Sequence, residues 1–157
     1  MAQSGVNLGL RGCKEAKIDD KGRLKLPTSF RADIESTWST PSVYLTCDDA
    51  AGQYVRIYPM PVWEGIEERL LKMPSTDPAR RKFQRWTSFW GQVDEIDGQG
   101  RLLIQPHLRE SAAMQGDVVV LAQSHFLEVW NRERFVGQTD ALRLNDDDYR
   151  RLAEFQI

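Results

Sequence analysis

The feature that most constrains the fold of this chain is a segment that occurs twice. Residues 18–31 read IDDKGRLKLPTSFR and residues 96–109 read IDGQGRLLIQPHLR, at a constant offset of 78 and with no gap. The identical pairs are Ile18/Ile96, Asp19/Asp97, Gly22/Gly100, Arg23/Arg101, Leu24/Leu102 and Arg31/Arg109. Residues 54–63 and 126–135 also resemble each other, at an offset of 72. Because similarity at a fixed spacing marks a repeated structural unit, we expect two copies of one small fold.

Each copy is predicted to form a strand, a turn, a second strand, a short helix, a hairpin and a further helix. β-suitable apolar residues and the prolines that follow them define the strand pairs, since proline cannot donate to a sheet ladder. The predicted strands are 13–18 with 23–26 and 92–96 with 101–104, and the short helices lie near 28–36 and 107–114. The hairpins pair 43–47 with 54–58 around a loop at 48–52, and 118–122 with 126–130 around a loop at 123–125.

Two longer helices are predicted between the copies. Apolar residues recur at helical spacing in 62–73, and a second apolar stripe at 83, 86 and 90 follows a break at Pro74–Pro78. Asp77 is a candidate N-cap with Pro78 at the first helical position. We expect Trp63 and Trp86 to lie in the core because both fall on these stripes. A last helix begins near Asp146, where acidic residues favour a helix start.

Length and composition predict a soluble chain without disulfides. The 157 residues, with 41% hydrophobic and 28% charged, suit one domain or two small ones. Two cysteines cannot frame a disulfide-rich fold, and neither a membrane span nor a signal peptide is visible, so we expect a cytoplasmic protein. The predicted division is a disordered segment at 1–9, a first repeat with its helix at 10–75, a linking helix and second repeat at 76–138, and an acidic, helical tail at 139–157.

The centre of each copy is Asp-x-x-Gly-Arg between two strands, which predicts a tight turn. Asp19 and Asp97 can accept hydrogen bonds from nearby backbone amides, and Gly22 and Gly100 allow a positive φ. Turn chemistry therefore explains these four residues without a function. Arg23 and Arg101 have two interpretations, because each arginine can form a local salt bridge with its aspartate or point outward as a fork of donors.

The distribution of charge distinguishes the two copies. The net charge of −2, from 21 basic and 23 acidic residues, argues against a protein that coats nucleic acid indiscriminately. Residues 11–31 nevertheless carry +4, and clustered cations can follow phosphates. In the second copy Gln99 replaces Lys21, and Asp94 and Glu95 lie close by. The first copy is therefore predicted to be the better anion-binding site.

The two motifs and their spacing resemble the MraZ family of bacterial transcriptional regulators. The resemblance runs from about Leu10 to Trp130. It rests on RGCKEAKIDDKGRLKLP at 11–27, PVWEGIEERL at 61–70, ARRKFQRW at 79–86 and GQGRLLIQPHLR at 98–109. It implies a β-rich α+β fold, in which two tandem AbrB-like swapped-hairpin repeats form a pseudo-twofold double-split β-barrel with peripheral helices. Gln99 and Cys13 depart from the family pattern.

The resemblance also implies a function. Members are homo-oligomers, commonly rings, that associate with the nucleoid and bind double-stranded DNA at direct repeats in the promoter of their own cell-division and cell-wall gene cluster. Carried over by position, Lys21 and Arg23 are the first candidates for DNA contact, Arg101 the second and Arg11 a further one.

Other classes of function find less support in the sequence. His107 and His125 stand alone and no catalytic motif is present, so we expect no enzyme activity, no metal site and no cofactor. The main alternative is an oligomeric structural or protein-interaction ring without direct DNA binding. The basic cluster at 80–85 has two interpretations, a solvated helix face or pairing with acidic residues across a subunit interface.

Overall fold

The computed structural model describes residues 9–47 and 53–157, which form eight strands, six α-helices and one 3-10 helix. The strands are β1 (Leu10–Ile18), β2 (Arg23–Lys25), β3 (Ser42–Thr46), β4 (Val55–Pro59), β5 (Gln92–Glu95), β6 (Arg101–Leu103), β7 (Gly116–Ser124) and β8 (Leu127–Asn131). The helices are α1 (Thr28–Trp38), α2 (Met60–Leu71), α3 (Pro78–Phe89), α4 (Pro106–Ser111), α5 (Arg132–Val136) and α6 (Asp146–Ala153), with the 3-10 helix at Thr139–Leu142.

The predicted elements are present, with boundaries displaced by at most three residues. Strand β7 extends through Ser124, so the second hairpin turns at residues 125 and 126 rather than at 123–125. The first hairpin loop at 48–52 and the predicted disorder of residues 1–8 lie outside the described residues.

The two copies meet where β2 pairs with β6. This antiparallel ladder places Leu24 opposite Leu102, two residues that occupy the same position in the repeat. An offset of 78 maps this pair onto itself, so a pseudo-twofold axis passes between the two leucines. Reciprocal backbone bonds extend the ladder on either side, from Leu26 N to Gly100 O at 2.8 Å and from Ile104 N to Gly22 O at 3.0 Å.

All eight strands belong to one antiparallel sheet that nearly closes into a barrel. Its order is β5-β3-β4-β8-β7-β1-β2-β6, and the pseudo-twofold axis makes contact between β5 and β6 the counterpart of the pairing of β1 with β2. Side chains supply that contact, since Gln92 donates to Leu103 O and accepts from Gln105 N, while Asp94 accepts from Leu103 N. The predicted β-rich barrel of two tandem repeats is confirmed.

One hydrophobic core serves both copies. Leu24, Phe30 and Ile34 of the first copy lie in the same buried cluster as Leu102 and Leu108 of the second. Burying these apolar side chains is the main favourable term in folding, so neither copy holds its core alone. The proposed domain boundaries stay a prediction, because the repeats share both the sheet and the core.

Helices α2 and α3 pack on the outside of the first copy. Trp63 is buried and stacks on Tyr44 with ring centroids 4.5 Å apart, as its place in the apolar stripe predicts. Trp86 is only half-buried against Trp90, so its expected core position is wrong. Asp77 caps α3 by accepting from Ala79 N at 2.8 Å. No helix among the described residues has the length and apolar character needed to cross a bilayer.

Candidate nucleic-acid interface

The two Asp-x-x-Gly-Arg segments fold into the same turn, which we call loop 1 (Asp19–Arg23) and loop 2 (Asp97–Arg101). The glycine amide donates to the aspartate carbonyl at 3.0 Å in loop 1 and 2.9 Å in loop 2. Gly22 has φ +86° and Gly100 φ +78°, a region that other residues adopt only with strain. Both glycines therefore take a positive φ at the same place in their turns.

The aspartate of each loop accepts three hydrogen bonds. Oδ1 of Asp19 accepts from the amides of Lys21 at 3.0 Å and Arg23 at 2.9 Å, and Oδ1 of Asp97 accepts from those of Gln99 and Arg101 at 2.8 and 2.9 Å. The backbone bond from the motif arginine is the largest cause that lowers the pKa of each aspartate below its ordinary value of 3.8. Both carboxylates are thus ionised at neutral pH and fasten their loops.

The motif arginines combine the two interpretations that the sequence left open. Arg23 Nε donates to Asp19 Oδ2 at 2.9 Å, and Arg101 Nε donates to Asp97 Oδ2 at 3.3 Å. Neither arginine hydrogen-bonds through Nη1 or Nη2 to a described residue, and each side chain remains about a third exposed. The aspartate orients the guanidinium from one side and leaves the other donors for an external acceptor.

A cationic face lies between the loops. Since Leu24 and Leu102 point into the core, their neighbours on β2 and β6 point outward and form what we call the β2–β6 face: Arg23, Lys25, Arg101 and Leu103. Lys25 lies directly opposite Arg101, and Arg23 is opposite Leu103. Arg23 and Arg101 are diagonal neighbours, for which a separation of roughly 7–8 Å is usual.

Lys25 and Arg101, which lie opposite each other on β2 and β6, repel each other because both are positively charged. Like charges directly opposite each other destabilise a ladder. Here Lys25 Nζ donates to Gln99 O of loop 2 and Arg101 is held by Asp97, so both cations stay at the surface. An anion placed over this face would offset their repulsion. Sequence reasoning counted Lys25 in the local charge but did not assign it to the site, although its alternation with Arg23 places both side chains on one face.

The remaining candidates lie in different places. Lys21 is exposed in loop 1, next to Gly22. Arg11 is exposed near the far end of β1, opposite Gln123, and seven residues of extended chain carry it roughly 24 Å from Ile18. The structure therefore brings Lys21, Arg23 and Arg101 into one region and leaves Arg11 apart from them.

The basic cluster of α3 contributes mainly to local structure. Arg80 Nη1 donates to Met73 O at 2.6 Å and Arg81 Nε donates to Ser75 O at 3.1 Å, which fastens the connection between α2 and α3. Lys82 and Arg85 are exposed on the same helix.

Among the described residues, no three or more histidine, cysteine, aspartate or glutamate side chains gather in a way that could hold a metal ion. Cys13 is exposed and Cys47 is buried, and no disulfide joins them.

Loop 1 and loop 2 share a backbone, but the segments around them differ in charge. The segment around loop 1, residues 11–31, carries +4, whereas the matching residues 89–109 carry −1. The differences lie at exposed positions. Lys17 of the first copy corresponds to Glu95 of the second, and Lys25 corresponds to Leu103. Within the loops, the pair Asp20 and Lys21 corresponds to the uncharged pair Gly98 and Gln99. An approaching polyanion therefore meets the stronger positive potential at loop 1.

Comparison with known proteins identifies similar chains over nearly the whole length. A family model described as "MraZ protein, putative antitoxin-like" matches residues 10–86 and 92–154. A protein of Acidobacterium capsulatum named "Transcriptional regulator MraZ" is 39% identical over 147 residues, covering 94% of this chain and 99% of that protein. Proteins with the same name from Koribacter versatilis and Syntrophobacter fumaroxidans are 37% and 32% identical. They cover 94% and 92% of this chain, and 99% and 92% of their own lengths.

Proposed function

The chain belongs to the MraZ family, and from this premise we propose that it regulates transcription by binding double-stranded DNA through loops 1 and 2. The similar proteins are named as regulators of transcription and not as enzymes, which agrees with the expectation that the chain catalyses no reaction.

One observation carries the proposal: the β2–β6 face presents three cations that have donors to spare. Arg23 and Arg101 are each held at Nε by an aspartate, so their Nη1 and Nη2 atoms have donors available to an external acceptor. Lys25 adds a third positive charge on the same face. The guanidinium group of arginine can donate two hydrogen bonds to phosphate oxygens or to the acceptor edge of guanine. DNA is therefore a ligand that matches both the positive charge and the donor geometry of this face.

The proposed target is a set of direct repeats in the promoter of the chain's own cell-division and cell-wall gene cluster. A net charge of −2 disfavours tight binding by a single copy to arbitrary DNA. A homo-oligomeric ring would present several copies of the site along repeated DNA, and each further contact would then form at a high effective concentration. Binding to chromosomal promoters would place the protein in the cytoplasm, at the nucleoid.

The decisive test removes the loop 1 arginine. Arg23→Ala should abolish the mobility shift of the chain's own promoter fragment at physiological salt, while the oligomer mass from light scattering stays the same. Lys82→Ala is the matched control, because it removes one exposed cation from α3, away from the β2–β6 face. Binding by Arg23→Ala that equals wild type would overturn the assignment of the site.

Salt dependence separates this function from an interaction ring that does not bind DNA directly. Phosphate contacts release counterions, so the logarithm of the affinity should fall with the logarithm of salt by about 0.9 for each phosphate neutralised. A regulator that reaches the promoter only through another protein would show no mobility shift when purified.

A further inference from the structure

Each loop is held by an arginine from the other copy of the repeat. Arg109, on α4 of the second copy, donates from Nη1 to Lys21 O in loop 1 at 3.0 Å. Arg31, on α1 of the first copy, donates from Nη1 to Gly98 O in loop 2 at 3.4 Å. Arg31 and Arg109 occupy the same position in the two copies. Neither residue belongs to a turn or to the β2–β6 face, so the features described above do not explain why both copies have arginine there.

The contact to loop 1 is the tighter of the two. The same Nη1 of Arg109 also donates to Ile104 O at 3.3 Å, so one nitrogen joins the backbones of both copies. The guanidinium lies directly over Gly22, where an added Cβ would be 1.4 Å from Nη1. Arg31 divides its donors between Gly98 O and Glu35 Oε1 at 3.2 Å, and an added Cβ on Gly100 would be 3.5 Å from its side chain.

We propose that Arg109 and Arg31 are positioning residues that act crosswise, each ordering the DNA-contacting loop of the opposite copy. The inference rests on the proposed DNA-binding function and deepens it. Loop 1 has few backbone partners outside its own turn, so Arg109 supplies much of its anchoring to the barrel. An ordered loop keeps Lys21 and Arg23 in place before DNA arrives, which reduces the entropy lost on binding.

The geometry also makes the two loops dependent on each other. Gly22 O accepts from Ile104 N and Gly100 O accepts from Leu26 N, so each loop is joined to the other copy by backbone as well as by arginine. A single copy would lack both anchors. The DNA-binding unit is therefore the pair of repeats, and neither repeat completes a loop alone.

A double-mutant cycle tests the crosswise action, since coupling between sites measures dependence of one residue on another. At low salt, where weak binding is still measurable, Arg109→Gln should weaken promoter binding about tenfold in the wild-type background. In an Arg23→Ala background the same change should weaken it by about threefold at most, because only Lys21 then depends on the position of loop 1. Arg31→Gln should couple in the same way to Arg101→Ala and not to Arg23→Ala.

The alternative to a positioning role is direct contact of Arg109 with DNA. If Arg109 contacts phosphate itself, its effect will be the same in both backgrounds and the salt slope will fall by about 0.9. Additive effects in the matched pairs, or equal coupling of Arg109 to Arg23 and Arg101, overturn the proposal. Arg109→Lys, which keeps the charge, provides a second variant should Arg109→Gln fail to fold.

Amide hydrogen exchange tests the same contacts without DNA. Arg109→Gln should speed exchange of the Gly22 amide, which donates to Asp19 O, about tenfold and leave the Gly100 amide unchanged. Arg31→Gln should do the reverse, and Val119 and Val120 in β7 should report an intact barrel in both variants. Unchanged loop exchange contradicts the positioning role. If the exchange rates change as expected but the wild-type protein does not bind DNA, the proposed function is wrong while the positioning role of the arginines stands.

Discussion

Loop 1 and loop 2 have the same backbone and different surfaces. Corresponding hydrogen bonds within the turns agree to within a few tenths of an ångström, from the three bonds of the aspartate to the glycine amide. The charged residues differ at exposed positions: Asp20 and Lys21 of the first copy correspond to Gly98 and Gln99 of the second, and Lys25 corresponds to Leu103.

The comparison teaches which residues of a duplicated site are constrained by folding. Aspartate and glycine form the turn, so a change at either would alter its backbone. The backbone amide of the motif arginine bonds to the aspartate whatever its side chain, and its Nε adds a side-chain contact. The Lys21 side chain contributes charge without supporting its own turn, and Lys25 lies outside loop 1 and donates to Gln99 O of loop 2. Charge could therefore differ between the copies while the geometry stayed the same, and only the segment around loop 1 carries a net positive charge.

The largest difference is expected from the two motif glycines. Gly22→Ala should lower the free energy of unfolding by about 2–3 kcal/mol, and Gly100→Ala by about 1 kcal/mol. Both replacements put alanine at positive φ, at about 1 kcal/mol, but alanine at 22 must also displace Arg109 from two hydrogen bonds worth about 0.5–1.5 kcal/mol each. Urea denaturation measures both. Equal losses would show that Arg109 contributes nothing to loop 1.

The motif arginines should differ in their effect on DNA affinity. Arg23→Ala is expected to weaken promoter binding about 100-fold and Arg101→Ala about tenfold, which correspond to about 2.7 and 1.4 kcal/mol. The reason is that Arg23 lies in the segment of charge +4 and Arg101 in one of −1. Fluorescence anisotropy at a fixed salt concentration gives the ratio. A larger effect at Arg101 would reverse the order of the loops.

Exchanging the third residue of the loops should move affinity in opposite directions. Lys21→Gln is expected to weaken binding about threefold and Gln99→Lys to strengthen it about threefold, with the salt slope changing by about 0.9 in each case. Neither side chain supports its turn, so the melting temperature should not change. The double exchange should then restore an affinity close to wild type. A Gln99→Lys variant with unchanged slope would show that loop 2 lies away from the phosphates.

The turns could be predicted from the sequence because their interactions are local. The Asp19 side chain bonds to residues two and four positions along the chain, and Gly22 needs its positive φ within the same five residues. The N-cap at Asp77 is equally local. Such contacts depend on residue type and spacing alone, so a sequence pattern contains all that determines them.

The composition of the β2–β6 face could not be predicted in the same way. Lys25 lies opposite Arg101 only because β2 pairs with β6 at one register, and the core around Leu24 and Leu102 sets that register. The reach of Arg109 to Lys21 spans 88 positions and depends on the same pairing. The burial of Trp86 could not be predicted either. Helical periodicity identifies the apolar stripe on which Trp86 lies, but it does not show how deeply the helix packs against the rest of the protein.

The smallest expected effect concerns acid, and it tests whether the loops are equally fastened. Since hydrogen bonds lower the pKa of Asp19 and Asp97, the stabilisation they provide is complete above the ordinary value of 3.8 and is lost as pH falls through the lowered pKa of the folded loop. Neither loop should change between pH 5 and 8. Below pH 4 the Gly22 and Gly100 amide resonances should both shift, and in Asp19→Asn the shift at Gly22 alone should disappear. A transition of either loop near pH 6 would contradict the assignment of these carboxylates as its fastening groups.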